Sequence, residues 1–263
     1  MALDGSLWVE GGVPYELPID VALGKVDYLE VMGYSSHLIT SEIWYQLLNC
    51  GFRLPAGAGT DAFPNFASLR GPPGLVRVYA KVDGAFNHRS WLSALKSGRT
   101  FVTNAPFLAL TLDDRFQIGD EVRLSPGSHA LRARVSLQSA VPIDHLELVG
   151  NGRVVAAIPA RASMDTTLSV TVSESGWYVL RARADRPRLP VLDSYPFAST
   201  SPIYVQVGDK PVRSRADAEY FLTWLDRVEA GIRAHTGWNT PAERDEAWRM
   251  LGAARAEFTQ RAR

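Results

Sequence analysis

Cysteine is almost missing from this chain. Cys50 is the single one among 263 residues. That excludes an intrachain disulfide and any cysteine-based zinc site. An excess of charge is missing too, with 28 Lys and Arg against 28 Asp and Glu. A zero balance argues against nucleic acid as a partner, because phosphate binding needs a basic face. No stretch approaches the ~18 apolar residues of a membrane-crossing helix, so no membrane partner is expected. Met1 to Pro14 lacks a basic segment followed by an apolar one, so no signal peptide is legible and the compartment stays open. What is present is a sufficient core. Apolar residues make up 46% and charged residues 21%, which excludes global disorder. The length fits one large domain or two ordinary ones.

Three regions differ in pattern. Residues 1–106 alternate strand and helix signals. Val26 to Met32 reads as a strand, and Thr40 to Cys50 as a helix with Thr40 as cap and Gly51 as stop. Arg53 to Ala62 is a short strand entering a Gly-rich bend. In Val76 to Val82 the apolar residues alternate with Arg77, Tyr79 and Lys81, which predicts a strand with one buried face. Asn87 can cap a helix that stops at Gly98, and Thr100 to Asn104 is a further strand. Such alternation implies a largely parallel sheet or a barrel.

Residues 107–208 carry no convincing helix. Short strands are expected over Ala130 to Leu137, Ile143 to Val149, Arg153 to Ile158, Thr167 to Val172, Trp177 to Ala184 and Ile203 to Val207. Gly150-Asn151-Gly152 is a hairpin signal and Ser173 to Gly176 a second turn. The spacing predicts an antiparallel sandwich. Leu131-Arg132-Ala133-Arg134 and Leu180-Arg181-Ala182-Arg183 read as two similar edge-facing strands. Residues 209–263 are helical. Ser214 caps one helix, and Thr240-Pro241-Ala242-Glu243 opens a second with a capping box. The short link Thr236 to Asn239 predicts that the two fold back on each other.

The segment Ala56 to Asn65 carries the most chemistry. A strand runs into small residues and presents Asp61. In barrels of alternating strands and helices, the C-terminal strand ends hold the active site. A carboxylate there can ligate a metal or act as a base. Capping of a turn before Pro64 is the other reading. A phosphate cradle at Gly57-Ala58-Gly59 is excluded, since Pro64 and Pro72-Pro73 leave no helix to follow it.

Glu16 to Asp27, Trp44 to Gly51 and Gly59-Thr60-Asp61-Ala62-Phe63 together resemble PHP-domain metallohydrolases, in the carbaryl-hydrolase-like branch. Gly74 to Tyr79, Ser97 to Pro106 and Thr200 to Val205 fit the same branch, so the resemblance covers about residues 15–225. It implies a distorted barrel with metal ions at its open end and a trailing β-rich domain. The fold class is thus a partial PHP-type α/β barrel, an antiparallel β-sandwich and a C-terminal helical hairpin. It further implies a divalent metal, zinc, manganese or iron, a small-molecule substrate, and Asp61 at a metal-ligand position.

Members of that family place a His-x-His pair and further ligands earlier than this chain begins. Here the five histidines, His37, His88, His129, His145 and His235, form no such pair, and Asp-x-His is replaced by Asp61-Ala62-Phe63. The chain therefore reads as the C-terminal part of a longer enzyme, or as a product that has lost the metal-site half, inactive alone and prone to self-association at the strand edge left open.

His37, Glu30, Arg77, Tyr79 and Asn104 are the candidates for a pocket around Asp61, each weighed against a structural reading. For His37 that reading is a local hydrogen bond, for Glu30 an internal pair, for Arg77 and Tyr79 a solvated strand face, and for Asn104 a strand-ending turn. The other four histidines are assigned to no metal, and Cys50 to a small buried side chain. The rival to a hydrolase is a non-catalytic sandwich module that binds a polysaccharide, a partner subunit or the rest of the enzyme through Trp177, Tyr178, Tyr195 and Tyr204.

Overall fold

The computed structural model describes residues 13–33, 36–63, 65, 71–192 and 194–263. The chain is a mixed α/β structure with several sheets and a C-terminal helix pair. In order, the elements are α1 (Leu17–Ala22), β1 (Leu29–Met32), α2 (His37–Asn49), β2 (Ala56–Ala58), β3 (Arg77–Ala80), α3 (His88–Lys96) and β4 (Thr100–Thr103). Then come β5 (Phe107–Leu112), β6 (Phe116–Gln117), β7 (Glu121–Leu124), β8 (His129–Gln138), β9 (His145–Gly150), β10 (Arg153–Ile158), β11 (Ser163–Val172), β12 (Gly176–Arg183), β13 (Phe197–Thr200) and β14 (Ile203–Val207). The helices α4 (Arg215–Ala234) and α5 (Pro241–Arg261) follow.

Residues 130–184 hold strands and no helix, as the pattern requires. The Asn151 turn joins β9 to β10 in a hairpin, with Asn151 itself at φ 49°. Ser214 caps α4 by accepting from Asp217 N–H, and Thr240 caps α5 by accepting from Glu243 N–H. The Glu243 carboxylate accepts from Asn239 N–H, one residue earlier than a standard capping box.

The largely parallel sheet expected in residues 1–106 is confined to one pair. Only β1 and β2 run parallel there. β3 and β4 pair antiparallel, and β4 continues antiparallel onto β13. The reason is local. Lys81 N–H bonds Arg99 C=O, so the chain leaves β3, makes the nine-residue α3 and returns alongside itself. The helix caps a wide hairpin and does not cross the sheet.

The strand expected from Val26 begins only at Leu29, and the one expected over Arg53 to Ala62 is three residues long. The helix expected from Thr40 starts at His37. Ser36 is its cap, and Thr40 instead donates its hydroxyl to Ser36 C=O at 3.0 Å.

One eight-stranded sheet, β10-β9-β12-β13-β4-β3 with β14 and β7 joined at β12, has both faces covered. One face meets the four-stranded sheet β11-β8-β5-β6. Leu146, Leu148, Leu180 and Ala182 pack there against Leu108, Leu110, Leu131, Ala133 and Val135. On the other face Val149, Trp177 and Val179 join α1, α2, α4 and α5 in a second core. Alternate residues of β12 thus serve two cores, which explains its unbroken apolar run.

The two Leu-Arg-Ala-Arg strands are not edges, contrary to the sequence reading. β8 lies between β11 and β5, and β12 between β9 and β13. Arginines are tolerated on β8 because its outer face meets water, where Arg132 and Arg134 pair with Asp114 and Asp165. On β12, Arg181 pairs with Glu147 directly across the strands at 2.7 Å.

β2 does not share a backbone ladder with the large sheet. Ala56 N–H donates to Ser201 Oγ at 2.9 Å, Thr100 Oγ1 donates to Ala56 C=O at 2.8 Å, and the two hydroxyls are 2.7 Å apart. Thr100, Ser201 and Ala56 are fully buried. With Thr100 donating to the carbonyl, Ser201 donates to Thr100 and the ring of bonds closes. Ser201→Ala removes the acceptor of a buried N–H. We expect a loss of about 1–3 kcal/mol in urea unfolding, and near-normal stability for Thr100→Ser. A Ser201→Ala midpoint equal to that of the native chain would show that the ring carries no load.

Candidate active site

β1 and β2 end side by side, in register Leu29 to Ala56 and Glu30 to Gly57. Two glycines make room for the Glu30 carboxylate beyond those ends. A Cβ at Gly33 would lie 2.6 Å from Glu30 Oε1, and one at Gly59 would lie 3.2 Å from it. Gly57 is needed for a separate reason, since a Cβ there would sit 2.2 Å from the Tyr28 ring. After β2, Thr60 fixes the path of the chain. Its hydroxyl donates to Val76 C=O and accepts from Val76 N–H, at 3.1 and 3.0 Å. Asp61 follows with φ 55°, a left-handed conformation that aspartate tolerates better than most residues.

Glu30 is thereby brought close enough to Asp61 to feel its charge. Partial burial pushes the Glu30 carboxyl above its usual range, the negative charge of Asp61 pushes it further, and Gly59 N–H partly offsets both.

The remaining candidates do not join this pair. His37 is the first residue of α2 and is buried, its ring 5.4 Å from Tyr195 and 5.5 Å from Phe197. Its Nδ1 is buried with no hydrogen-bond partner, so the local hydrogen bond expected of it is not made by that atom. Burial pushes its pKa down to about 4, and neither carboxylate acts on it. Asn104 is a structural clip. Its Oδ1 accepts from Phe197 N–H at 2.7 Å, and its Nδ2 donates to Tyr195 C=O at 2.9 Å. Arg77 donates to Asn104 C=O at 3.2 Å. Tyr79 stacks on Phe101 at 5.1 Å and touches Phe107.

Cys50 is fully buried, and burial pushes its thiol up to about 12, with Asp217 adding to the shift. It is no nucleophile at neutral pH. Of the aromatics proposed as a binding platform, Trp177 and Tyr178 are buried, and Tyr195 and Tyr204 are half-buried. Sequence reasoning missed the ion pair of Glu147 with Arg181, both little exposed beneath α2 beside Tyr45. A charge inside each of two apolar strands was its only signal.

Glu30 and Asp61 offer two hard oxygen donors, which suits a divalent cation in part. Among the described residues no three His, Cys, Asp or Glu side chains converge. Catalytic zinc takes about three protein donors and a water, so the described donor set is short of a working site. Comparisons with protein-family profiles, with characterised proteins and with solved structures give no match to this chain.

Two outcomes follow from the buried groups. His37 has a folded pKa below its ordinary 6.5, so the unfolded chain takes up the proton first. Its stabilising contribution is complete above about pH 6.5 and is lost as pH falls toward about 4. Unfolding free energy should drop by about 2 kcal/mol less in His37→Phe than in the native chain between about pH 7.5 and about pH 5. Equal pH profiles for the two chains would remove His37 from the account. Iodoacetamide should leave Cys50 unmodified in the native protein and alkylate it in urea, which mass spectrometry reads directly.

Proposed function

We propose that this chain supplies the carboxylate part of a divalent-metal site in a hydrolase of the PHP type, and that it is inactive alone. The observation that carries this reading is the Glu30 carboxylate lodged between Gly33 and Gly59 beyond the ends of two parallel strands, near enough to Asp61 to feel its charge. Strand ends of that polarity are where barrels of alternating strands and helices build their sites. Among the described residues β1 pairs on one side only, with β2, which leaves an edge for a strand that would extend the sheet. The same edge favours self-association.

In the complete site Glu30 and Asp61 would hold the ion, zinc, manganese or iron, with further donors from outside the described residues. The ion supplies Lewis acidity toward an ester, amide, carbamate or phosphoester bond of a small-molecule substrate. Gly33 and Gly59 keep the approach to Glu30 clear of side chains. A cation there would offset the burial and the Asp61 charge that together raise the Glu30 carboxyl. Thr60 holds Asp61 in place through Val76.

Manganese titration by calorimetry tests the pair. Weak binding is expected for the native chain, and binding at least about tenfold weaker, roughly 1.4 kcal/mol, for Glu30→Gln and for Asp61→Asn. No turnover of p-nitrophenyl acetate or p-nitrophenyl phosphate is expected. Equal manganese affinity in all three proteins would end the ligand role of the pair. Tight stoichiometric binding with turnover by this chain alone would end the claim that its site is incomplete.

A further inference from the structure

A cavity of about 250 Å³ opens where the loop after α2, the starts of β12 and β14, the link before α4 and the end of α5 meet. Neither Glu30 nor Asp61 lines it, and its charged lining is mostly basic. Arg53, Arg213 and Arg261 line it, against a single carboxylate, Glu257. Arg261 lies 3.7 Å over the Phe52 ring, donates Nη1 to Cys50 C=O at 2.6 Å and pairs with Glu257. Arg53 lies 4.7 Å over the Tyr204 ring and pairs with Glu121, a carboxylate shared with Arg123. Both guanidinium planes are therefore held by aromatic faces, which orients their N–H edges in advance. Arg213 is exposed and makes no ion pair among the described residues.

Arg261 and Arg53 are each offset by one carboxylate, so Arg213 is the cation of this concavity that an entering anion would balance. Phe52, Trp177 and Tyr204 give the space an apolar wall. Its volume is just below the ~300 Å³ at which sites for drug-sized ligands begin, so the occupant is small. We propose that this cavity binds a small organic anion through carboxylate or phosphate oxygens, held by Arg53, Arg213 and Arg261. Guanidinium forks match both oxyanions, and each such bond is charge-assisted.

The test is calorimetric titration of the full chain with citrate and, separately, with glycerol 3-phosphate, at ionic strength held constant with sodium chloride. The two arms separate a carboxylate from a phosphate preference. Binding of at least one probe is expected, weakened at least about tenfold, roughly 1.4 kcal/mol, in Arg213→Ala and in Arg53→Ala. Arg213 is exposed and makes no ion pair among the described residues, so its removal should leave folding intact, which circular dichroism verifies. Arg161→Ala removes an exposed charge elsewhere and should bind as the native chain does. Failure of both probes to bind at about 10 mM, or equal weakening in Arg161→Ala, would overturn the proposal. So would unchanged affinity in Arg213→Ala.

Discussion

The parallel pair β1–β2 has too little backbone pairing to stand by itself, since two-stranded ribbons are marginal in water. What secures it is the buried ring of Ala56, Thr100 and Ser201. Two side-chain hydroxyls do there what a neighbouring strand would do, satisfying the N–H and C=O of one residue. Thr60 repeats the arrangement one turn later with both backbone groups of Val76. The positions of Glu30 and Asp61 depend on these substitutes for a ladder. Buried polar groups of this kind carry full weight only when every member is satisfied, and in this ring each is.

The large sheet gives the protein its layered order. Its two faces divide the apolar residues between a sheet-on-sheet core and a helix-on-sheet core. Trp177 shows how tightly the second is specified. Its ring packs 4.9 Å from Tyr45, its Nε1 donates to Asn49 Oδ1 at 2.9 Å, and its backbone N–H donates to Asn151 Oδ1 at 3.0 Å. One residue thereby ties α2, β12 and the β9–β10 turn.

Much of this was legible in the residues. Short apolar strand runs between turn signals located β8, β9 and β12, and the Asn151 turn and the caps at Ser214 and Thr240 were readable because each acts within a few residues. Pairing between distant segments was not. The direction of β3 against β4 turns on where the chain goes after α3, and alternation is blind to direction. Ser36 and Thr40 are both good caps, and the choice between them depends on the burial of His37 under Tyr195 and Phe197, more than 150 residues away. Asn104 could be read as a mouth residue or a turn, and its side chain instead clips the end of β4 to the backbone at Tyr195 and Phe197, more than 90 positions away. Glu30 and Asp61 were separately visible as candidates. Their proximity follows from a parallel register and from the absence of side chains at Gly33 and Gly59, which no local pattern encodes.

The docking of α5 has a consequence for the order of events during synthesis. Phe258 stacks on Phe221 at 5.0 Å and meets Phe52 edge-on at 5.5 Å, and all three are buried. Trp224 Nε1 donates to Tyr15 C=O, a bond spanning 209 positions, and Arg261 reaches Cys50 C=O across 211. The core around α1 and α2 is thus closed by residues that leave the ribosome more than 200 positions later. At ~5–20 residues per second, the early helices wait on the order of ten seconds or more with their apolar faces uncovered. Contacts so distant along the chain also slow the search for the native arrangement. A nascent chain of this design depends during that interval on whatever shields Trp44, Leu47 and Phe52 from other unfinished chains.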